Sequence, residues 1–151
     1  RHKKSDLFCE MARGKLKFMP GAREFLAEVK ARDLPCGVGT GCYKIEYELM
    51  REECGLGEWV QAFVGGDEVA HNKPYPDIFL AVASQLGISP EQCVVFENTD
   101  VGVSAARNAN MKCIVVPSAF SKDQDFSRAE RILDSLRKAD LISIFPLEIR
   151  I

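Results

Sequence analysis

The sequence predicts an α/β fold: a parallel sheet in a three-layer arrangement, with helices on both faces. Three observations predict it. From Pro20 onward, segments with helical spacing alternate with short apolar runs, the order that strand–helix–strand units produce. Two of those runs, Cys93–Phe96 and Lys112–Val116, show no polar alternation, as strands buried on both faces require. Gly55, Gly87 and Asn110 stand just past three helical segments, where a left-handed residue closes a helix.

Residues 1–19, basic at their start, read as a helix leading into a domain over residues 20–151. Pro20-Gly21 opens a helix in which Phe25, Leu26 and Val29 recur at helical spacing, with proline at an allowed early position. It stops before Leu34-Pro35. Cys36–Thr40 reads as a strand, Tyr43–Cys54 as a helix with Ile45, Leu49 and Met50 on one side, and Ala62–Gly65 as a weaker strand. Asp77–Leu86 is a helix that Asp77 starts. Ser89-Pro90-Glu91-Gln92 has the pattern of a capped turn. The strand Cys93–Phe96, the helix Val101–Ala109 and the strand Lys112–Val116 follow, with Gly102 allowing close helix–strand approach. A polar stretch leads to a short edge strand, Arg131–Leu133, and a last helix around Leu136–Ile142.

The chain has 151 residues, 20 Lys plus Arg, 22 Asp plus Glu and a net charge of −2. That length suits one domain, and 46% hydrophobic residues exclude a disordered chain. No apolar run approaches the roughly 18 residues that span a bilayer, so membrane insertion has no support. Near-neutral charge without a basic block argues against nucleic acid as a partner. Six cysteines without a CxxC pair speak against zinc and for an intracellular, reducing setting, cytoplasm or organellar matrix. Those at 36, 93 and 113 lie in apolar runs and are expected to be buried. His2 and His71 lack ligand spacing and are placed on the surface. The chain opens on Arg1 rather than Met, and a segment upstream of it is expected.

Three motif-like strings are loops. Gly37-Val38-Gly39-Thr40-Gly41 has its third glycine one residue early for a dinucleotide loop and no acidic strand end behind it. Gly65-Gly66-Asp67-Glu68 lacks the phenylalanine of a cyclase signature. Asp123-Gln124-Asp125 has no apolar strand before it. What remains stands at the carboxyl ends of strands, where open parallel sheets place ligands: Thr40 after the first, Lys73 in the loop after the second, and Glu97-Asn98-Thr99 after the third. A hydroxyl with free backbone N–H groups, a lysine and an acid–amide pair are parts that hold a phosphoryl group and its metal.

Two strings then carry a resemblance. Lys73-Pro74-Tyr75-Pro76-Asp77-Ile78-Phe79-Leu80 and Val94-Val95-Phe96-Glu97-Asn98-Thr99-Asp100-Val101-Gly102, continuing to Ala105-Ala106, resemble the third and fourth motifs of haloacid dehalogenase (HAD) superfamily hydrolases. The branch is that of β-phosphoglucomutase and pseudouridine-5′-phosphatase, whose fourth motif is commonly VFEDSxxGxxAA. Val38-Gly39-Thr40-Gly41 matches the second motif, and Met19-Pro20-Gly21-Ala22 the start of the core after the cap. The resemblance covers about Lys15 to Ser135 and implies a HAD-like, Rossmann-like sandwich. Residues 1–19 would then end a cap or linker helix, and 20–151 would be an incomplete core.

The resemblance also implies roles. Thr40 and the Gly41 N–H would hold the phosphoryl oxygens, and Lys73 would neutralise phosphoryl and nucleophile charge. Glu97 and Asn98 would hold Mg²⁺. The substrate would be a small phosphorylated metabolite, attacked by an aspartate to give an aspartyl-phosphate. The aspartates belong to a DxD-bearing central strand that residues 1–151 do not supply, as they lack most of the cap. The family's metal-binding aspartate is here Asn98, an amide without the charge that offsets dehydration of a hard cation. This chain alone is therefore expected to be inactive, with the missing strand supplied or covered by an upstream segment or a protein partner. The alternative is a catalytically degenerate subunit kept for interactions within a larger assembly.

Overall fold

The computed structural model of the chain describes residues 2–145; Arg1 and residues 146–151, the last part of the predicted core, lie outside them. In chain order these residues form α1 (His2–Ala12), α2 (Ala22–Ala31), β1 (Gly37–Gly39), α3 (Lys44–Cys54), β2 (Ala62–Val64) and α4 (Asp77–Leu86). They continue with β3 (Val94–Glu97), α5 (Asp100–Asn108), β4 (Lys112–Val115), β5 (Arg131–Ile132) and α6 (Leu141–Ile144). Each strand pairing is parallel, and the predicted α/β order holds.

The side chains of alternate strand residues sort the helices into two layers. Ala62, Val64 and Val95 face Ile78, Phe79 and Val82 of α4 and Val103 and Ala106 of α5, in one buried cluster. The intervening residues face the other way. Phe63 stacks on Tyr47 of α3, centroids 3.4 Å apart, and Phe96 meets Phe25 of α2 edge-on at 4.8 Å. Gly37 and Gly39 let β1 lie close to α4, since a Cβ would come within 2.6 Å of Val82 and 2.7 Å of Ile78. Burial of such apolar faces stabilises by about 25 cal/mol per Å².

The strands form two separate sheets, β1–β2 and β3–β4–β5. Among the described residues nothing pairs with β1 on the side away from β2, or with β3 on the side away from β4. Side chains join the halves instead: those of the buried cluster, and Lys73, which reaches both Gly39 and Glu97.

Helix ends follow the local chemistry. Gly87 closes α4 at φ 68°, and Asn110 takes φ 61° after α5. Thr99 caps α5, its hydroxyl accepting the Gly102 N–H at 3.1 Å. Two expectations about helices need correction. Pro20 is not in the first helix turn; α2 starts at Ala22, after Gly21 at φ 85°. The predicted helix over Leu136–Ile142 is split into a 3₁₀ turn, Leu136–Lys138, and α6. Ser135 caps the Arg137 N–H at 3.2 Å and Asp140 caps the Ile142 N–H at 3.0 Å. Two caps so close together start two short helices rather than one.

All six cysteines are free. Of the three in apolar runs only Cys113 is buried; Cys36 and Cys93 stand just before their strands and are half-buried, which corrects that expectation. Cys9 is buried as well, with its thiol 3.7 Å from the Ile45 carbonyl where α1 meets α3. Glu53 of α3 accepts the Gly14 and Leu16 N–H groups at 2.6 and 3.4 Å, which anchors the link after α1. Among the described residues no helix is long and apolar enough to cross a membrane.

Candidate active site

The carboxyl ends of β1 and β3 carry the polar groups singled out from the sequence. Beyond β1, the Thr40 N–H continues the ladder to the Val64 carbonyl at 3.0 Å. Its hydroxyl accepts the Cys42 N–H at 3.1 Å. That turn holds Gly41 exposed at its tip. The Gly66 N–H donates to the Cys42 carbonyl at 2.9 Å and locks the loops after β1 and β2 together.

Lys73 enters from the loop before α4. Its Nζ donates to the Gly39 carbonyl at 3.1 Å and to Glu97 Oε1, and lies 4.6 Å from the centre of the Phe79 ring. The Lys73 and Glu97 side chains are 12% and 8% exposed. A pair this dehydrated is held by its hydrogen bonds, and losing either partner would leave an uncompensated charge.

Glu97 is a hub. Its Oε2 accepts the Asn98 N–H at 2.8 Å, the Thr99 N–H at 3.1 Å and the Thr99 hydroxyl at 3.0 Å. These donors stand at the start of α5, where the helix dipole favours a carboxylate. Gly102 makes room for it: a Cβ there would lie 2.0 Å from Glu97 Cδ. The close approach expected at Gly102 is therefore to a carboxylate.

The structure brings Thr40, Lys73 and Glu97 to one end of the sheets, with Gly41 exposed beside Thr40. Asn98 is exposed, and its side chain makes no hydrogen bond among the described residues. Sequence reasoning placed Thr99 at the strand end without a role and missed two contributors, Phe79 and the Gly39 carbonyl. Thr99 clamps Glu97 and caps α5; a threonine before an acidic helix start was the available signal. Phe79 lies under the Lys73 ammonium, and Gly39 supplies it a carbonyl; neither contact has a signature in periodicity. The remaining motif-like strings are structural loops. Asp67 accepts the Lys44 N–H at 3.0 Å, and Gln124 accepts the Asp100 N–H at 2.9 Å. His71 is exposed with Nδ1 3.0 Å from Asp77, while the side chain of His2 lies outside the described residues.

Magnesium does not fit the donors that this chain offers by itself. Glu97 Oε2 accepts three N–H or O–H donors and Oε1 the Lys73 ammonium, and Asn98 is neutral. Among the described residues no three His, Cys, Asp or Glu side chains form a group able to hold a metal. Close to Glu97, burial and then the carboxylate charge push the Cys113 thiol up to about 12.

The family model described as haloacid dehalogenase-like hydrolase matches residues 4–110. Protein CbbY of Cereibacter sphaeroides is 32% identical over 128 residues, which cover 83% of this chain and 56% of that protein. Fructose-1-phosphate phosphatase YqaB of Escherichia coli is 44% identical over 82 residues, covering 54% of this chain and 44% of that protein. The crystal structure of CbbY from Rhodobacter sphaeroides in complex with phosphate superposes with a TM-score of 0.85 at 30% identity, covering 91% of this chain and 63% of that one. The chain spans 56% and 58% of the length of two CbbY relatives, little more than half. With a match over most of its length and the motifs at the strand ends, the chain belongs to the haloacid dehalogenase-like hydrolase family.

Proposed function

We propose that this chain carries the phosphoryl-holding part of a phosphomonoester hydrolase that acts on small phosphorylated metabolites through an aspartyl-phosphate. The observation that carries the reading is the Lys73 ammonium, bound to the Gly39 carbonyl and to Glu97 beside the Thr40–Gly41 turn. An ammonium, a hydroxyl and an exposed turn N–H in one place suit a phosphoryl dianion, whose transfer depends mainly on charge stabilisation and positioning. Thr40 and the Gly41 N–H would donate to phosphoryl oxygens, and Lys73 would offset their charge. The relatives support the substrate class: YqaB is named a fructose-1-phosphate phosphatase, and CbbY was crystallised with xylulose-1,5-bisphosphate.

The attacking aspartate would come from a DxD-bearing strand outside residues 1–151, placed between β1 and β3 by an upstream segment or by another chain. Residues 1–19 would be the end of a cap or linker helix, and 20–151 the incomplete core. The family's magnesium would need carboxylates from that strand, because Glu97 and Asn98 do not make a site for it. On this chain, phosphoryl charge falls to Lys73. Free cysteines suit a reducing compartment, cytoplasm or organellar matrix.

The test is hydrolysis of p-nitrophenyl phosphate by the full-length protein with Mg²⁺. Turnover that Lys73→Ala abolishes supports the reading, and turnover that survives the substitution overturns it. Asn98 in place of an acidic residue favours a second reading, a degenerate subunit retained for its interactions. Absence of turnover together with purification in a larger complex would establish that alternative.

A further inference from the structure

Asn72, the residue before Lys73, makes contacts that none of these roles uses. Its Oδ1 accepts the Lys73 N–H at 2.9 Å, and its own carbonyl accepts the Tyr75 N–H at 3.1 Å. The carboxamide also stands close to Gly66 in its own loop and to Gly41 in the loop after β1. A Cβ on Gly66 would stand 2.5 Å from Asn72 Nδ2 and 2.6 Å from the Gly41 carbonyl oxygen; one on Gly41 would stand 3.4 Å from Asn72 Oδ1. Gly66 therefore leaves a slot that the Asn72 amide and the Gly41 backbone share. Because the Lys73 N–H can only donate, it fixes which end of the amide is oxygen, and Nδ2 faces Gly66.

We propose that Asn72 is a positioning residue of the phosphate site, tying the turn that presents the Gly41 N–H to the backbone from which Lys73 extends. The inference rests on the phosphoryl-holding reading given above. The lysine stem is flexible, so the place of its ammonium depends on where the main chain at 73 is held. The Gly41 N–H depends in turn on the loop after β1. Asn72 bonds the Lys73 N–H and stands beside the Gly41 turn, and thereby sets the spacing between two groups that must meet one anion. Small displacements of such groups cost binding even where the fold survives.

Inorganic phosphate titrated into the full-length protein tests this by calorimetry. Asn72→Ala is expected to weaken phosphate binding about tenfold, the scale seen when hydrogen bonds supporting an ion site are removed. Its melting temperature should stay close to that of the wild type, because Asn72 is exposed. Asn72→Asp keeps the acceptor for the Lys73 N–H but puts a carboxylate beside the anion. Its deficit relative to the wild type should shrink as salt screens that repulsion, whereas the deficit of Asn72→Ala should not. Wild-type protein that binds phosphate no better than Asn72→Ala overturns the role of Asn72 alone. Should Asn72→Ala fail to fold, Asn72→Asp carries the test: affinity equal to the wild type at every salt concentration overturns the proposal. Wild-type protein that binds no phosphate, or binding that Lys73→Ala leaves unchanged, overturns the phosphoryl-holding reading and this inference with it.

Discussion

Gly102→Ala puts one methyl group where the Glu97 carboxylate lies. The added Cβ would be 2.0 Å from Cδ and 2.3 Å from each oxygen, so either helix α5 or the carboxylate must move. The carboxylate is the end of a flexible side chain and gives way first. Moving it disturbs bonds from the Asn98 N–H, the Thr99 N–H and hydroxyl, and Lys73. Hydrogen bonds to a charged group are worth about 1.5–3 kcal/mol each, and full loss of a buried partner about 3–5 kcal/mol. Displacement is less than deletion, and alanine gains about 1 kcal/mol over glycine inside a helix. A net loss of about 3 kcal/mol follows, a fall in melting temperature of roughly 6–12 °C for a domain of this size. Circular dichroism on heating measures it. In a Glu97→Ala background the methyl group meets no carboxylate, and Gly102→Ala should there be neutral or stabilising. A Gly102→Ala protein melting within about 2 °C of the wild type, or an equal penalty in both backgrounds, would refute the reasoning.

Thr99→Ala removes both the cap on the Gly102 N–H and a bond to Glu97. It should lower unfolding free energy by about 1–2 kcal/mol in urea titrations, with Thr99→Ser retaining most of the stability; equal losses from both substitutions would rule out the hydroxyl as the cause. Burial raises the Cys113 thiol to about 12 from an ordinary 9.0. Its contribution to stability is therefore complete below about pH 9 and is lost between about pH 9 and 12, at up to ~1.4 kcal/mol per pH unit. Cys36, Cys93 and Tyr47 shift in the same direction through burial, so the diagnostic quantity is the difference from Cys113→Ala, whose urea midpoint should fall less steeply above pH 9. Parallel pH profiles for the two proteins would exclude Cys113 as a source of the slope.

Much of the fold was legible because its signals are local. Gly87 and Asn110 mark helix ends through backbone conformations that few residues adopt, and the apolar runs at 93–96 and 112–116 mark buried strands. The split at Leu136–Ile144 escaped because Ser135 and Asp140 resemble ordinary polar residues until their hydroxyl and carboxylate are seen to accept helix-start N–H groups. At the site, ordered motifs pointed to Thr40, Lys73 and Glu97, and these residues do converge. Their partners could not be read. The Gly39 carbonyl is 34 residues from Lys73 in sequence, and no periodicity reports a bond between a side chain and a distant backbone. Glu97, expected as a metal ligand, also holds the start of α5 and the Lys73 ammonium, because the glycine at 102 lets the carboxylate sit beneath the helix.

On the reading proposed above, this arrangement would let one lysine serve two sheets and still favour an anion. If Glu97 faced Lys73 alone, each charge would cancel the other and little field would remain for a phosphoryl group. The three donors from Asn98 and Thr99 share the carboxylate, and the end of α5 adds its partial positive charge. The Gly39 carbonyl, a neutral acceptor, orients the ammonium without neutralising it. On the phosphoryl-holding reading, the negative charge of Glu97 would be divided between the helix start and the lysine, leaving the site a net attraction for anions. Replacing Glu97 by glutamine tests that division: the charge on Lys73 stays, its partner becomes neutral, and inorganic phosphate should bind at least as tightly as to the wild type. Binding lost to the same extent as in Lys73→Ala would mean that Glu97 acts by placing the ammonium and not by balancing its charge.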